Sequence, residues 1–377
     1  MTDELRFDAA GPVLLVGGYG TVGSELARLA APSWPLLLTG RRPEGGSSRG
    51  EALGAELGAE VRRWDLTDPA PFAAAVRAVV GVVNDPGDRV LRAAVDGGVP
   101  YVDITRWTAR LQRAVAVVSV LKPVAPVLFS SGWMGGTTNL MAAALAAELG
   151  GAERVEVAIR WDLKDRAGAD SVEFMDRLGL DYEVLENGQS RRIMPLSGAG
   201  RVMIGDLRTK VARIDTPEQF TLPISLGVRS AITRIGFGSA LSTSALLAVK
   251  RTGFFRWGRG DCWAPVRRSL LYSPGEGGVA RVRMDVEGPA GRRAAILTDP
   301  LGQAHLTAVG ALMGLRRVLG ADGAPPAPGV AFPEMTPRPR DVPGFLLSMG
   351  VSISEQRPGA VAVAAADNGT EAKEAAA

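Results

Sequence analysis

Residues Val13 to Gly23 read Val-Leu-Leu-Val-Gly-Gly-Tyr-Gly-Thr-Val-Gly, an apolar run that passes straight into a glycine-spaced turn. Gly18, Gly20 and Gly23 have the G-x-G-x-x-G spacing. Such spacing lets a strand turn sharply, lets main-chain N–H groups approach a pyrophosphate, and seats the next helix on the sheet. Ser24 to Ala30 reads as that helix, with its N-terminal dipole toward the phosphates. Gly18, Tyr19, Gly20, Thr21, Val22 and Gly23 are therefore candidate cofactor contacts. The bland alternative is an ordinary tight strand-to-helix turn.

A second apolar strand, Pro35 to Gly40, ends roughly twenty residues downstream, where an NAD-specific domain carries Asp or Glu on the ribose hydroxyls. Here the chain reads Gly40-Arg41-Arg42-Pro43. A carboxylate would repel a 2′-phosphate, whereas guanidinium groups grip one in bidentate fashion. Arg41 and Arg42 thus point to NADP, against the simpler reading of solvated loop charges.

Further strand ends fit the same domain. Glu60 to Asp65 reads as a third strand, with Asp65 and Leu66 positioned for the adenine ring. Ala78 to Val83 is apolar throughout, as buried parallel strands are, and stops at Asn84-Asp85-Pro86, a loop expected beside the nicotinamide ribose. Helix Asp88–Gly97, strand Val99–Ile104, helix Trp107–Val120 and strand Val124–Ser130 continue the alternation. Strands alternating with helices over this length imply an α/β fold with a Rossmann-type doubly wound parallel sheet.

With 377 residues the chain is long enough for two domains. Its net charge of +3 is spread rather than massed, which argues against nucleic-acid binding. One cysteine, Cys262, excludes an intramolecular disulfide and fits a reducing cytosol; it reads as a buried small hydrophobe. One histidine, His305, excludes multi-histidine metal sites, and no metal is expected. The acidic, polar start is unlike a secretory signal, and Lys122-Pro123 interrupts the most apolar stretch, so a cytoplasmic protein without integral membrane association is expected. High Gly, Ala, Arg and Pro content points to a GC-rich bacterial genome.

The glycine turn and Gly40-Arg41-Arg42-Pro43 resemble the saccharopine dehydrogenase-like oxidoreductases. The likeness extends to Gly98-Val99-Pro100-Tyr101-Val102-Asp103, to the loop Ser131-Gly132-Trp133-Met134-Gly135-Gly136-Thr137-Thr138-Asn139, to Ala304-His305-Leu306-Thr307-Ala308, and to Pro328 through Glu334. In the family's Gly-x-x-Pro-Gly-x-x-Asn loop a proline stands where this chain has Met134 or Gly135. The resemblance implies a Rossmann domain, a second α/β domain carrying the substrate, often a homodimer, and reversible hydride transfer at a carbon–nitrogen bond. Trp133 and Asn139 are candidate substrate contacts. Short-chain dehydrogenases need Lys four residues after Tyr to lower the tyrosine pKa. Four residues after Tyr19, Tyr101, Tyr182 and Tyr272 stand Gly23, Thr105, Glu186 and Glu276, which argues against that class.

From about residue 152 the pattern changes. Arg154 to Asp162 and Ala280 to Gly288 alternate like half-buried strands, Arg292 to Thr298 pairs with the latter, and Arg201–Ile204 and Leu207–Ile214 read as strands. Ser171 to Leu180 reads as a helix, and His305 to Leu319 as an amphipathic helix returning to the nucleotide domain. The expected plan is a cofactor domain over residues 1–130, completed by a return at about 300–358. A second α+β domain on an open mixed sheet takes residues 131–299, and 359–377 form a disordered tail. Leu222 to Trp257, apolar and basic, reads as a substrate lid, a pair of packing helices, or a membrane-contact surface.

Hydride transfer needs a proton managed at the neighbouring heteroatom. Asp103, at a strand's C-terminal end, and His305, the side chain that titrates near neutrality, are the catalytic candidates. A helix cap and a core histidine are their structural alternatives, and Tyr182 and Lys164 are weaker candidates. The expectation is an NADP(H)-dependent reductase of an imine or related C=N group, with secondary metabolism as one setting. Reduction of C=C or C=O in an apolar acyl or polyketide substrate is the alternative, and a non-catalytic NADP sensor or scaffold is the reading from another class.

Overall fold

The computed structural model describes residues 3–43, 49–162, 164–165, 174–269, 277–358 and 362–363. The chain forms two compact units, one of Met1–Leu140 with Ala304–Pro339, the other of Met141–Gln303 with Arg340–Ala377.

In the first unit the strands are β1 (Glu4–Phe7), β2 (Val13–Val16), β3 (Leu36–Gly40), β4 (Glu60–Arg63), β5 (Ala73–Val76), β6 (Ala78–Gly81), β7 (Tyr101–Asp103) and β8 (Pro126–Phe129). A returning strand, Gly329–Ala331, pairs with β8. Seven of these form an all-parallel sheet in the order Gly329–Ala331, β8, β7, β6, β2, β3, β4. The order reverses at β2, so the strands on either side of it run outward in opposite directions, and ligands bind at such a switch point beyond the carboxyl ends. Helices α1 (Thr21–Ala30), α2 (Arg49–Leu57), α3 (Arg89–Asp96) and α4 (Thr108–Leu121) supply the crossovers. β2, β6 and β8 are buried at every residue, which is why they read as unbroken apolar runs.

β1 and β5 form a separate two-stranded parallel ladder that the sequence pattern does not announce. Gly97 lies so close to it that a Cβ there would collide with the Leu5 carbonyl.

The second unit is an eight-stranded mixed sheet. Its strands are β9 (Arg154–Trp161), β12 (Gly200–Ile204), β13 (Leu207–Arg213), β14 (Ser230–Phe237), β15 (Ala280–Gly288), β16 (Gly291–Asp299), and the short segments Ser352–Gln356 and Ala362–Val363. A hairpin, β10 (Tyr182–Glu186) and β11 (Gln189–Ile193), stands apart from it. The sheet curls, bringing Val202 and Ile204 of β12 into one apolar cluster with Ala158 and Ile296 of the distant β9 and β16.

Several expectations do not hold. Leu222–Trp257 is not a simple helix pair: its middle is β14, buried at all eight positions and parallel to β9. Arg234 lies within that strand because Glu156 neutralises it at 2.9 Å. Within Ser171–Leu180 only a short 3₁₀ turn, Phe174–Arg177, forms, and residues 171–173 lie outside the described residues. Cys262 is exposed rather than buried. The return into the first unit covers Ala304–Pro339, while Ser352–Gln356 pairs with β16 in the second. Of the tail, Ala362–Val363 pairs with β12, and the rest lies outside the described residues.

Candidate functional site

The glycine turn is built by close approach of main chain. Gly17 adopts φ +86°, and the Gly17 and Gly18 N–H groups donate to the Thr39 carbonyl at 2.8 and 3.1 Å, tying the turn to the end of β3. A Cβ on Gly23 would run into the Gly17 carbonyl and the Gly18 main chain, so only glycine lets α1 start this close to the turn. A Cβ on Gly18 would stand 3.0 Å from Leu15 and Leu38. Gly20 is the extended residue before α1, and no side chain caps the helix. The first-turn N–H groups of Thr21, Val22 and Gly23 lack intrahelical acceptors by the geometry of any helix start, which makes them donors for a phosphate. The cradle fits a diphosphate.

Beyond β3, Arg41 and Arg42 are exposed and form no ion pair among the described residues. Tyr19 connects them to the turn. Its ring packs on the bare Cα of Gly40, where a Cβ would stand 2.5 Å from its Cζ. Burial raises the Tyr19 pKa, partly offset by the Arg42 main chain and the nearby Arg41 and Arg63 charges, so the phenol stays neutral. Arg63, opposite Gly40 in the β3–β4 register, is a third guanidinium here and bonds Asp68 at 3.0 Å. The sequence reading missed it because it sits inside a strand. Asp65 accepts from the Thr67 N–H and hydroxyl at 3.0 and 2.7 Å, an Asx turn. Those bonds, with Arg63 and Arg41, hold its carboxyl below the usual range. Arg89, at the start of α3, bonds the carbonyls of Asp65, Asp68 and Ala70 and so fixes the segment containing Leu66.

The loop after β6 is held from below. The Asp85 carboxylate accepts from the Arg89 and Val90 N–H groups at 3.0 and 2.8 Å and caps α3, a structural task not foreseen for it. Burial pushes its pKa up, against those two N–H bonds. Asp88 sits in the left-handed region with φ 57° and is buried. Arg106 bridges the start of α3 and the end of β7: its guanidinium donates to Asp88 at 2.5 Å and to Asp103 at 2.7 Å, and it is only 2% exposed. Arg110 donates to the Asp85 carbonyl, and Arg113 reaches Asp88 at 3.2 Å. The loop Asn84-Asp85-Pro86 is thereby fixed to α4 by arginines. No single-sequence pattern joined Arg106 to Asp88, eighteen residues away.

Asp103 ends β7 at the same sheet edge. It accepts the Tyr101 hydroxyl at 2.7 Å, the Thr105 N–H and hydroxyl at 2.9 Å each, and Arg106. Burial pushes its pKa up, but Arg106 and these hydrogen bonds outweigh that and hold it below the ordinary value. Tyr101 is driven well above its usual value by burial and by the Asp103 charge.

After β8 the chain takes three consecutive left-handed residues, Met134, Gly135 and Gly136, before continuing as a helix to Leu149. The loop rests on the helix Gln303–Val318: a Cβ on Gly310 would stand 2.5 Å from the Gly135 carbonyl, and one on Gly135 would meet that of Thr307. Trp133 is half-buried at the loop's start. Asn139 is buried and donates to Glu334 at 3.0 Å, closing the loop onto the segment after Gly329–Ala331. His305 is buried in the first turn of Gln303–Val318, just before the Thr307 contact. Lys164 is exposed and Tyr182 is buried in the hairpin cluster with Val184 and Ile193. Among the described residues no group of three His, Cys, Asp or Glu side chains could hold a metal ion, and no helix is long and apolar enough to cross a membrane.

A parallel sheet of reversed order, a glycine turn at its switch point and a second unit on a mixed sheet define a two-unit α/β architecture with a Rossmann-type sheet. It is the saccharopine dehydrogenase-like fold. The chain is similar in structure to saccharopine dehydrogenase (L-Glu forming) of Saccharomyces cerevisiae, with a TM-score of 0.61, 13% identity, and coverage of 92% of this chain and 99% of that one. It is also similar to a probable dehydrogenase of Thermotoga maritima, with a TM-score of 0.43, 11% identity, and coverage of 91% and 98%. A scyllo-inositol dehydrogenase of Lactobacillus casei gives a TM-score of 0.42 at 10% identity, with coverage of 92% and 99%. The last two share only broad outline with this chain. No protein-family model matches the chain, and no curated protein matches it.

Proposed function

We propose that the chain is a cytosolic NADP(H)-dependent oxidoreductase acting on a C=N or related unsaturated group of a small molecule. The observation that carries the cofactor choice is the exposed Arg41–Arg42 pair, standing directly beyond β3 where an NAD-specific domain has a carboxylate. When bound, the cofactor supplies hydride chemistry. The main-chain N–H groups of Thr21, Val22 and Gly23 hold its diphosphate, and Arg41 and Arg42 grip the 2′-phosphate, whose charge a carboxylate would repel. The imine preference rests on the sequence resemblance.

Asp103 is a positioning residue in this scheme. Its acceptor positions are filled and it is held ionised, which makes it a poor proton donor. Through Arg106 it fixes the loop expected beside the nicotinamide ribose. His305 is left as the candidate proton carrier, and Trp133 as a wall of the substrate cleft.

Titration calorimetry of Arg41→Ala/Arg42→Ala tests the assignment. NADPH affinity should fall by about 2–3 kcal/mol while NADH affinity is spared. Equal loss of both contradicts the phosphate role. Tight binding by the native chain with no NADPH oxidation across imines, enones and ketones would instead identify a non-catalytic binder.

A further inference from the structure

Residues 240–269 of the second unit form a compact aromatic projection. The helix Ala240–Arg251 is followed by the short helix Phe254–Trp257, the 3₁₀ turn Asp261–Trp263 and the helix Ala264–Ser269. Phe254 and Phe255 are buried and anchor it, Phe255 so closely that a Cβ on Gly179 would collide with its carbonyl. Arg267 is buried and bonds Asp176 at 2.8 Å. Above this anchor the Phe254 ring meets Trp257 at 5.1 Å and Trp263 at 5.9 Å, and the two indoles meet edge-on at 5.2 Å. Rigidly held, they still face solvent: Trp257 is 59% exposed, Trp263 38%, and Val266 43%. The Trp257 indole N–H donates to the Thr252 carbonyl at 3.3 Å, so the ring offers its apolar edge outward.

The sequence of residues 240–269 is basic, with six cations, Lys250, Arg251, Arg256, Arg259, Arg267 and Arg268, against the single acid Asp261. Two of the six are neutralised from outside the segment, Arg256 by Asp181 at 3.4 Å and the buried Arg267 by Asp176 at 2.8 Å. Arg251 and Arg259 are exposed and form no ion pair among the described residues.

We propose that this projection docks the protein reversibly on an anionic lipid surface. Indole rings settle at the headgroup level of a bilayer, and clustered Lys and Arg are drawn to anionic headgroups. Four exposed apolar side chains, Leu241, Trp257, Trp263 and Val266, fall far short of the ~800 Å² per partner of a stable protein interface. A second copy would meet its own positive charge. The lipid surface is the occupant that both the rings and the arginines fit. Docking of this kind is independent of cofactor binding.

The test is co-sedimentation of the full chain with vesicles of phosphatidylcholine, with and without phosphatidylglycerol. Binding should require phosphatidylglycerol and weaken with salt. Trp257→Ala/Trp263→Ala and, separately, Arg251→Glu/Arg259→Glu should each weaken it about tenfold. Circular dichroism, thermal melting and NADPH affinity should remain as in the native chain. Absence of binding to phosphatidylglycerol vesicles overturns the proposal, as does equal binding to pure phosphatidylcholine. Unchanged binding by either folded variant also overturns it. So does concentration-dependent self-association that the tryptophan pair abolishes without any vesicle binding, which would mark a contact between copies instead.

Discussion

The Tyr19 ring rests on the bare Cα of Gly40, and a Cβ there would stand 2.5 Å from its Cζ and Oη. The contact couples the glycine turn to the residue preceding Arg41. Gly40→Ala must displace the ring and with it the turn. NADPH affinity should fall about tenfold by calorimetry, with stability reduced by about 1–2 kcal/mol. Unchanged affinity would remove Tyr19 from the positioning of the site.

Gly23→Ala attacks the cradle itself. The added methyl meets main chain, which cannot rotate away as a flexible side chain can. We expect a loss of about 2–3 kcal/mol in chemical denaturation, and loss of NADPH and NADH binding together. A variant that binds both coenzymes normally would contradict the close packing of α1 on the turn.

Arg106→Met strands two buried carboxylates, Asp88 and Asp103. Breaking a buried ionic network from one side costs about 3–5 kcal/mol. The pH dependence has a definite sign. The folded-state pKa of Asp103 is depressed, so its contribution is present above the unfolded value near ~3.9 and is lost as pH falls through the lower folded value. The stability gap between native chain and variant should therefore narrow as pH drops below about 4. A gap that stays constant in urea titrations at about pH 7 and about pH 3.5 would place the stabilisation elsewhere.

His305→Asn asks whether turnover needs an imidazole. With NADPH affinity unchanged by calorimetry, turnover should fall by about 10²-fold or more. Unaltered turnover would return His305 to the status of a core residue.

The parallel sheet was open to reading because buried strands carry their apolar runs on every residue, as Val13–Val16 and Ala78–Gly81 do. The cradle was legible because Gly23 is demanded by main-chain contact, a constraint visible as spacing alone. What escaped depends on contacts distant in sequence. β1 has only one buried residue, so no alternation marks it. β14 was concealed because its Arg234 is neutralised by Glu156, seventy-eight residues earlier. Asp103 read as either a catalytic acid or a helix cap because its partner, Arg106, can be taken for a solvated charge until Asp88 and burial are seen.

Cofactor recognition is probed without any substitution by titrating the native chain with NADPH and with NADH under identical conditions in a calorimeter. NADPH should bind tighter by about 2 kcal/mol, roughly thirtyfold. Equal affinities would refute the role of Arg41 and Arg42, and heat changes with neither coenzyme, reduced or oxidised, would contradict the dinucleotide site altogether.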